Sequence, residues 1–172
     1  MSWGFCMWEG FRLAVLPAVW RPDPRGLLPD VPAVASGPMS ARVFTLLYLG
    51  VILVRSLIHV FAADGGAQSI ATIDIGVQGG DNIVAMFAQW GAVQLVLGLV
   101  LTVLVVRYPG LVPLVLASLA VELVLREVAG TLKPVATMGT APGAAGNAAA
   151  LVIVTAALLL SLCPRRQPEP AA

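Results

Sequence analysis

Residues 83–129 read IVAMFAQWGAVQLVLGLVLTVLVV-RYPG-LVPLVLASLAVELVLREVA: two long apolar runs, 83–106 and 111–129, interrupted at Arg107-Tyr108-Pro109-Gly110. Each run is close to the roughly 20 residues that cross a ~30 Å hydrocarbon core at about 1.5 Å per residue. Within lipid a backbone amide finds its partner only in its own segment, so such runs are predicted as helices. Proline and glycine in the break stop one helix and start the next, which predicts an antiparallel hairpin.

Two further apolar runs flank this pair, 43–63 before it and 144–163 after it. The predicted fold class is therefore all-α, a four-transmembrane-helix antiparallel bundle over residues 41–163. Composition agrees: of 172 residues 59% are hydrophobic and only 11% charged, with a mean hydropathy of +0.92. A soluble domain carries about 25% charged residues; with so few here, the expected solvent is the lipid bilayer. A net charge of +1, with no basic stripe, argues against a nucleic-acid partner.

The connections set the sidedness. Loop 64–81 is rich in Gly, Ser, Gln and Asp, and loop 130–143 contains Lys133-Pro134 and Gly139-Thr-Ala-Pro-Gly143. Arg42, Arg107, Arg165 and Arg166 lie on the side of the two termini, whereas Lys133 stands alone among Asp64, Asp74 and Asp81 on the other. The positive-inside rule then predicts both termini in the cytoplasm, in a bacterial inner (cytoplasmic) membrane.

Residues 1–40 are of a different character, with Trp3, Trp8 and Trp20 and a proline-rich stretch over 22–38. No basic segment precedes an apolar core, so a secretory signal fits poorly. Three readings stay open: an interfacial helix over 5–20, since Trp and Phe favour the headgroup zone, a disordered tail, or a true start at Met39. Residues 164–172 read as a short cytoplasmic tail. No internal repeat is visible, which weakens an inverted-repeat transporter reading.

Chemistry is sparse. Cys6 and Cys163 stand at opposite ends without a CxxC spacing, which excludes a thioredoxin-like pair, a thiolate zinc site and an iron–sulfur cluster. A single histidine, His59, excludes bis-histidine haem ligation within one chain. His59, Asp64 and Glu122 match no recognised metal motif. No catalytic residue, metal site or cofactor is assigned.

What remains is one polar constellation. An ionisable side chain within a membrane helix costs roughly 2.5–3.5 kcal/mol on insertion scales and is a functional candidate for that reason. The first run carries Arg55 and His59; the third carries Glu122, Arg126 and Glu127; uncharged Gln89, Gln94 and Asn147 join them from the second and fourth. Counted from the non-cytoplasmic end, Arg55 lies about 12 Å deep and Gln89 and Glu122 about 10 Å. His59, Arg126 and Asn147 lie at about 5–6 Å by the same count. Arg55 with His59, and Glu122 with Arg126, are four apart and share a face. The expected cluster is thus Arg55, His59, Gln89, Glu122, Arg126 and Asn147 in the outer half, with Arg55 meeting Glu122 and Gln89 bonding to them. The plainer alternative is structural ion pairing, including Glu122 with Arg126 on its own helix. Gly91 and Gly98, with Ala85, Ala88 and Ala92, and the alanines around Asn147 read as close helix packing.

The segment Trp90-Gly91-Ala92-Val93-Gln94-Leu95-Val96-Leu97-Gly98-Leu99 resembles the second-helix signature of the DoxX-like small four-helix membrane proteins. Glu122-Leu-Val-Leu-Arg126-Glu127-Val-Ala-Gly130 is similar to their third-helix end. The resemblance covers about residues 41–163. Many relatives carry an arginine three residues before the aromatic, where Phe87 stands here; if that arginine serves a ligand, the site is altered or Arg55 substitutes for it. The family consists mostly of uncharacterised bacterial proteins, some linked by name to quinone or thiosulfate oxidation.

The function expected first is a non-enzymatic accessory or small-ligand-binding subunit, with a partner membrane subunit or a second copy of the chain as its partner class. A quinone- or lipid-associated redox subunit is the second reading, with Glu122 or His59 handling a proton beside Arg55. An oligomeric transporter or channel is the third, weakened because the polar set stops halfway across.

Overall fold

The computed structural model of the chain describes residues 15–139 and 142–166, with backbone alone over 142–145. These residues form an all-α protein with four α-helices: α1 (Met39–Phe61), α2 (Gly80–Arg107), α3 (Val112–Leu132) and α4 (Pro142–Ser161). Short 3-10 turns cover Pro24–Leu27 and Pro109–Leu111. No strand occurs among the described residues, only two isolated antiparallel bridges, Pro17 with Arg165 and Ile73 with Thr137. Cys6 and most of the 5–20 segment lie outside the described residues, as do 167–172 of the C-terminal tail.

Helix limits follow from proline and glycine chemistry. α1 begins directly after Gly37-Pro38 and ends where Gly65 and Gly66 take φ of 58° and 73°, angles that glycine adopts without steric cost. α3 runs past Gly130 to Leu132, three residues beyond the run read from the sequence. A glycine inside a helix costs only about 1 kcal/mol, whereas Pro134 forces the residue before it out of helical geometry. Gly130 is tolerated and Lys133-Pro134 is the stop.

Two of the helices, α1 and α2, are long and apolar enough to cross a membrane. Their apolar windows have a mean hydropathy of 2.0 and are only 22% buried, the reverse of a core helix in a soluble protein. On α1, Val43, Leu47, Val51, Val54 and Phe61 are exposed, and on α2 Met86, Val93, Val96, Leu97 and Val103.

Contacts divide the chain into two compact units. The first takes its described residues from Met1–Leu47, Val103–Ser118 and Val154–Ala172. Its core holds Ala41, Val105, Val112, Val115, Leu116 and Val154. The proline-rich segment before α1 is joined to it by backbone hydrogen bonds: Gly110 N donates to Pro32 O at 2.8 Å, Arg165 N to Ser36 O at 2.8 Å, and Asp23 N to Leu162 O at 3.0 Å. A Cβ on Gly110 would lie 2.6 Å from Val34 O, so only glycine lets the hairpin and this segment approach. Cys163, buried here as a free thiol, donates to Leu159 O.

The second unit comprises Tyr48–Thr102 and Leu119–Ile153 and holds both long interhelix loops. These loops meet: Met138 N donates to Thr72 O at 2.8 Å, and the Thr72 hydroxyl donates to Gly139 O at 3.2 Å. Thr72 itself has φ of 56°, a left-handed conformation costly for a β-branched residue.

Candidate ligand-binding cleft

The second unit is organised by one face of α2. Gly91, Gln94 and Gly98 are buried, spaced by three and four residues so that they stack along one side of the helix. At Gly91 the backbones of α1 and α2 come so close that a Cβ would lie 2.5 Å from His59 Cβ and 3.0 Å from Ser56 O. That approach brings Gln94 across to α1, where its Oε1 accepts from the Arg55 guanidinium at 3.1 Å and sits 3.3 Å from the Ser56 hydroxyl.

One turn along, His59 is 3% exposed. Its Nδ1 lies 2.7 Å from Gly65 O; a carbonyl only accepts, so Nδ1 carries a proton and donates it. The imidazole stacks on Trp90 with ring centroids 5.0 Å apart and 28° between planes, and meets Phe87 edge-on at 5.4 Å. Asp64 fixes the loop that supplies the Gly65 carbonyl, its carboxylate accepting from Ser69 N at 2.7 Å and Gly66 N at 2.9 Å. These backbone donors, Ser69 first and then Gly66, hold its pKa down at about 2.

Two guanidiniums share Trp90, with Arg55 Cζ 5.3 Å and Arg126 Cζ 5.5 Å from its ring centroid, within cation–π range. Arg126 also pairs with Glu122 one turn away on α3. Asn147 of α4 is 7% exposed, and its Nδ2 donates to Glu127 Oε2 at 2.9 Å and Leu123 O at 3.2 Å. Among the described residues the Glu122–Arg126 pair is the one ion pair, leaving Arg55 with an amide partner and no carboxylate. Arg55 Nε, Arg126 Nε and Asn147 Oδ1 are buried without hydrogen-bond partners. Such atoms are costly unless something else fills the space beside them.

That space is a half-open cleft of about 450 Å³, lined by Arg55, His59, Phe87, Trp90, Arg126, Glu127 and Asn147, with Ile70, Ile73, Val135 and Thr137 of the paired loops on its wall. A smaller cleft of about 220 Å³ opens between Tyr48, Arg55, Glu122, Arg126 and Asn147. Among the described residues no group of three His, Cys, Asp or Glu side chains is placed to hold a metal ion.

Of the residues read from the sequence, Arg55, His59, Glu122, Arg126 and Asn147 line one or both clefts. Arg55 and Glu122 face the same small cleft but are not an ion pair: Arg55 takes Gln94 and Glu122 takes Arg126. Pairing one turn along a helix needs no second element, whereas a cross-helix pair depends on the separation of α1 and α3. Gln89 is not part of the cluster. It is exposed, two residues and so about 200° around α2 from Gly91, and Gln94 holds the place that equal depth suggests for it. Trp90 and Phe87, which enter the sequence reading only through the family resemblance, are central to the site. Their signal in the sequence is the pair of four-residue steps, Phe87 to Gly91 and Trp90 to Gln94, which flank the buried face.

No family model, curated protein or solved structure matches the chain.

Proposed function

We propose that this protein is a non-enzymatic, membrane-embedded ligand-binding subunit with four antiparallel spans, its termini in the cytoplasm and its cleft in the non-cytoplasmic half. Exposed apolar side chains along α1 and α2 support the bilayer as solvent, since soluble monomers rarely expose apolar patches beyond a few hundred Å². The distribution of Arg and Lys supports the orientation; a thiol introduced by Lys133→Cys is expected to react with an impermeant maleimide from the periplasmic side. The DoxX-like resemblance is also proposed, supported by Trp90, Gly91 and Gly98, the residues that carry it and that shape the contact between α1 and α2.

The observation that carries the binding reading is Arg55 without a carboxylate at ion-pair distance, beside the Trp90–His59 stack and orphaned buried polar atoms. This combination suits an amphipathic molecule whose head offers carbonyl or carboxylate oxygens to the guanidinium and whose body lies against aromatic and aliphatic walls. The test is binding of a medium-chain fatty acid and a short-chain benzoquinone to the full chain in nanodiscs, read by mass spectrometry. Arg55→Gln is expected to weaken binding at least about tenfold, the equivalent of losing one charge-assisted hydrogen bond, while Gln89→Ala leaves it unchanged. Equal binding by wild type and Arg55→Gln overturns the assignment.

A quinone-associated subunit is the second reading, favoured by the near-parallel stack of His59 on Trp90, which suits a planar ring. It requires the benzoquinone to bind in preference to the fatty acid and to compete with it.

A further inference from the structure

The first unit holds a cleft of its own, separate from the two described above. It measures about 220 Å³ and is lined by Arg42 and Arg165 with Gly37, Met39, Val43 and Val112 among others. Among the described residues no acidic side chain lines it. Arg42 is held in place by donating from one guanidinium nitrogen to Val106 O at 3.1 Å, near the C-terminal end of α2, where backbone carbonyls favour a cation. Its Nε is buried without a partner. Arg165 is set there by its own backbone, whose amide donates to Ser36 O at 2.8 Å. Met39, which lines the cleft, is the first residue of α1, so the positive end of that helix dipole adds to the two side-chain charges; the start of α3 adds no free amide, because Val112 N–H donates to Pro109 O and Pro113 has none.

Two cations, one helix start and no carboxylate among the described lining residues make a site for an anion with several acceptor oxygens. We infer that this cleft binds a phosphate group, and that its natural source is the headgroup of an anionic phospholipid. This rests on the membrane reading above: Arg42 and Arg165 are then on the cytoplasmic side, where basic pockets between helices take anionic headgroups. The wall continues from Arg42 into Val43 and Leu47, both exposed and apolar on α1, a surface suited to an acyl chain rather than to water. A soluble phosphate would use the same arginines and leave that apolar wall without an occupant.

The experiment is native mass spectrometry of the full chain released from nanodiscs containing equal parts phosphatidylglycerol and phosphatidylcholine. Wild type is expected to retain phosphatidylglycerol severalfold over phosphatidylcholine, with the preference undiminished by millimolar inorganic phosphate. Arg42→Gln and Arg165→Gln are each expected to reduce it; Arg165→Gln is the safer variant, because that side chain is exposed and its backbone bond is untouched. Arg55→Gln, in the other cleft, is expected to leave it unchanged. Displacement of the lipid by inorganic phosphate assigns the same chemistry to a soluble source. No preference in a protein that inserts normally, or a preference indifferent to both arginine substitutions, overturns the inference. Failure to insert at all would instead refute the membrane reading on which it rests.

Discussion

Adding one methyl group at Gly91 is the sharpest perturbation of the second unit. A Cβ there lies 2.5 Å from His59 Cβ and 3.0 Å from Ser56 O, against about 3.5–4.0 Å for carbons in ordinary contact. One of these neighbours is backbone, so a rotamer change is no escape and α1 must shift by about 1 Å. Overpacking of this kind costs about 1–3 kcal/mol, offset by the roughly 0.5–1 kcal/mol that alanine gains over glycine in a helix. The net expectation for Gly91→Ala is a loss centred on about 1 kcal/mol and at most about 2.5 kcal/mol, or a fall of about 2–5 °C in Tm at the centre of that range for a chain of this size. Gly50 and Gly130 serve as internal controls: both are helical glycines at which an added methyl would meet nothing within 4 Å, and both alanine variants are expected to match or exceed wild type. Gly98→Ala falls between them, because its methyl is crowded by the flexible end of the Leu53 side chain at 2.9 Å and otherwise meets Ile52 at an ordinary 3.7 Å. The assay is thermal unfolding of the four variants in one detergent, followed by tryptophan fluorescence. Gly91→Ala as stable as Gly50→Ala would refute the close approach of α1 and α2, and with it the geometry that brings Gln94 to Arg55.

Three further outcomes are expected. Asn147→Asp puts a carboxylate where Nδ2 now donates to Glu127, so it is expected to lower Tm more than Asn147→Ala, which forfeits about 0.6–1.7 kcal/mol on the scale of buried membrane hydrogen bonds; equal losses would argue against that contact. Asp64 has its pKa held at about 2 against an ordinary 3.8, and a depressed carboxyl stabilises the fold above its unfolded value and loses that contribution as pH falls through the folded one. The protection of loop 64–73 amides, after correction for the intrinsic exchange rate at each pH, is therefore expected to hold down to about pH 4 and to fall toward pH 2, and Asp64→Asn is expected to abolish that fall. Thr72→Val keeps the left-handed φ of 56° and the backbone bond from Met138 but loses the hydroxyl bond to Gly139 O; limited proteolysis of the two loops is expected to be faster than in wild type, and a rate equal to wild type would separate that hydroxyl from loop pairing.

Helices are legible in this sequence because lipid-length apolar runs and proline punctuation are local signals. Their ends are less so: Gly130 looks like a stop, yet α3 passes through it to Leu132, because one glycine is a small cost and Pro134 a prohibitive one. In the candidate site, Arg55, His59, Glu122, Arg126 and Asn147 can be picked out as expensive residues in apolar runs. Depth alone chooses Gln89, and depth says nothing of azimuth. Gln94 lies on the buried face and Gln89 does not.

Residue type and spacing along single stretches of chain dictate an all-α fold, the approximate course of its helices, and which side chains are too polar for their surroundings. Only the tertiary structure decided who meets whom: Arg55 with Gln94 rather than Glu122, two guanidiniums on one indole, and loops 62–79 and 133–139 joined through Thr72. Those pairings depend on how closely two helices approach and how each is rotated about its axis. At Gly91 both are settled by the absence of a single Cβ, a quantity that acquires meaning only once α1 is beside it.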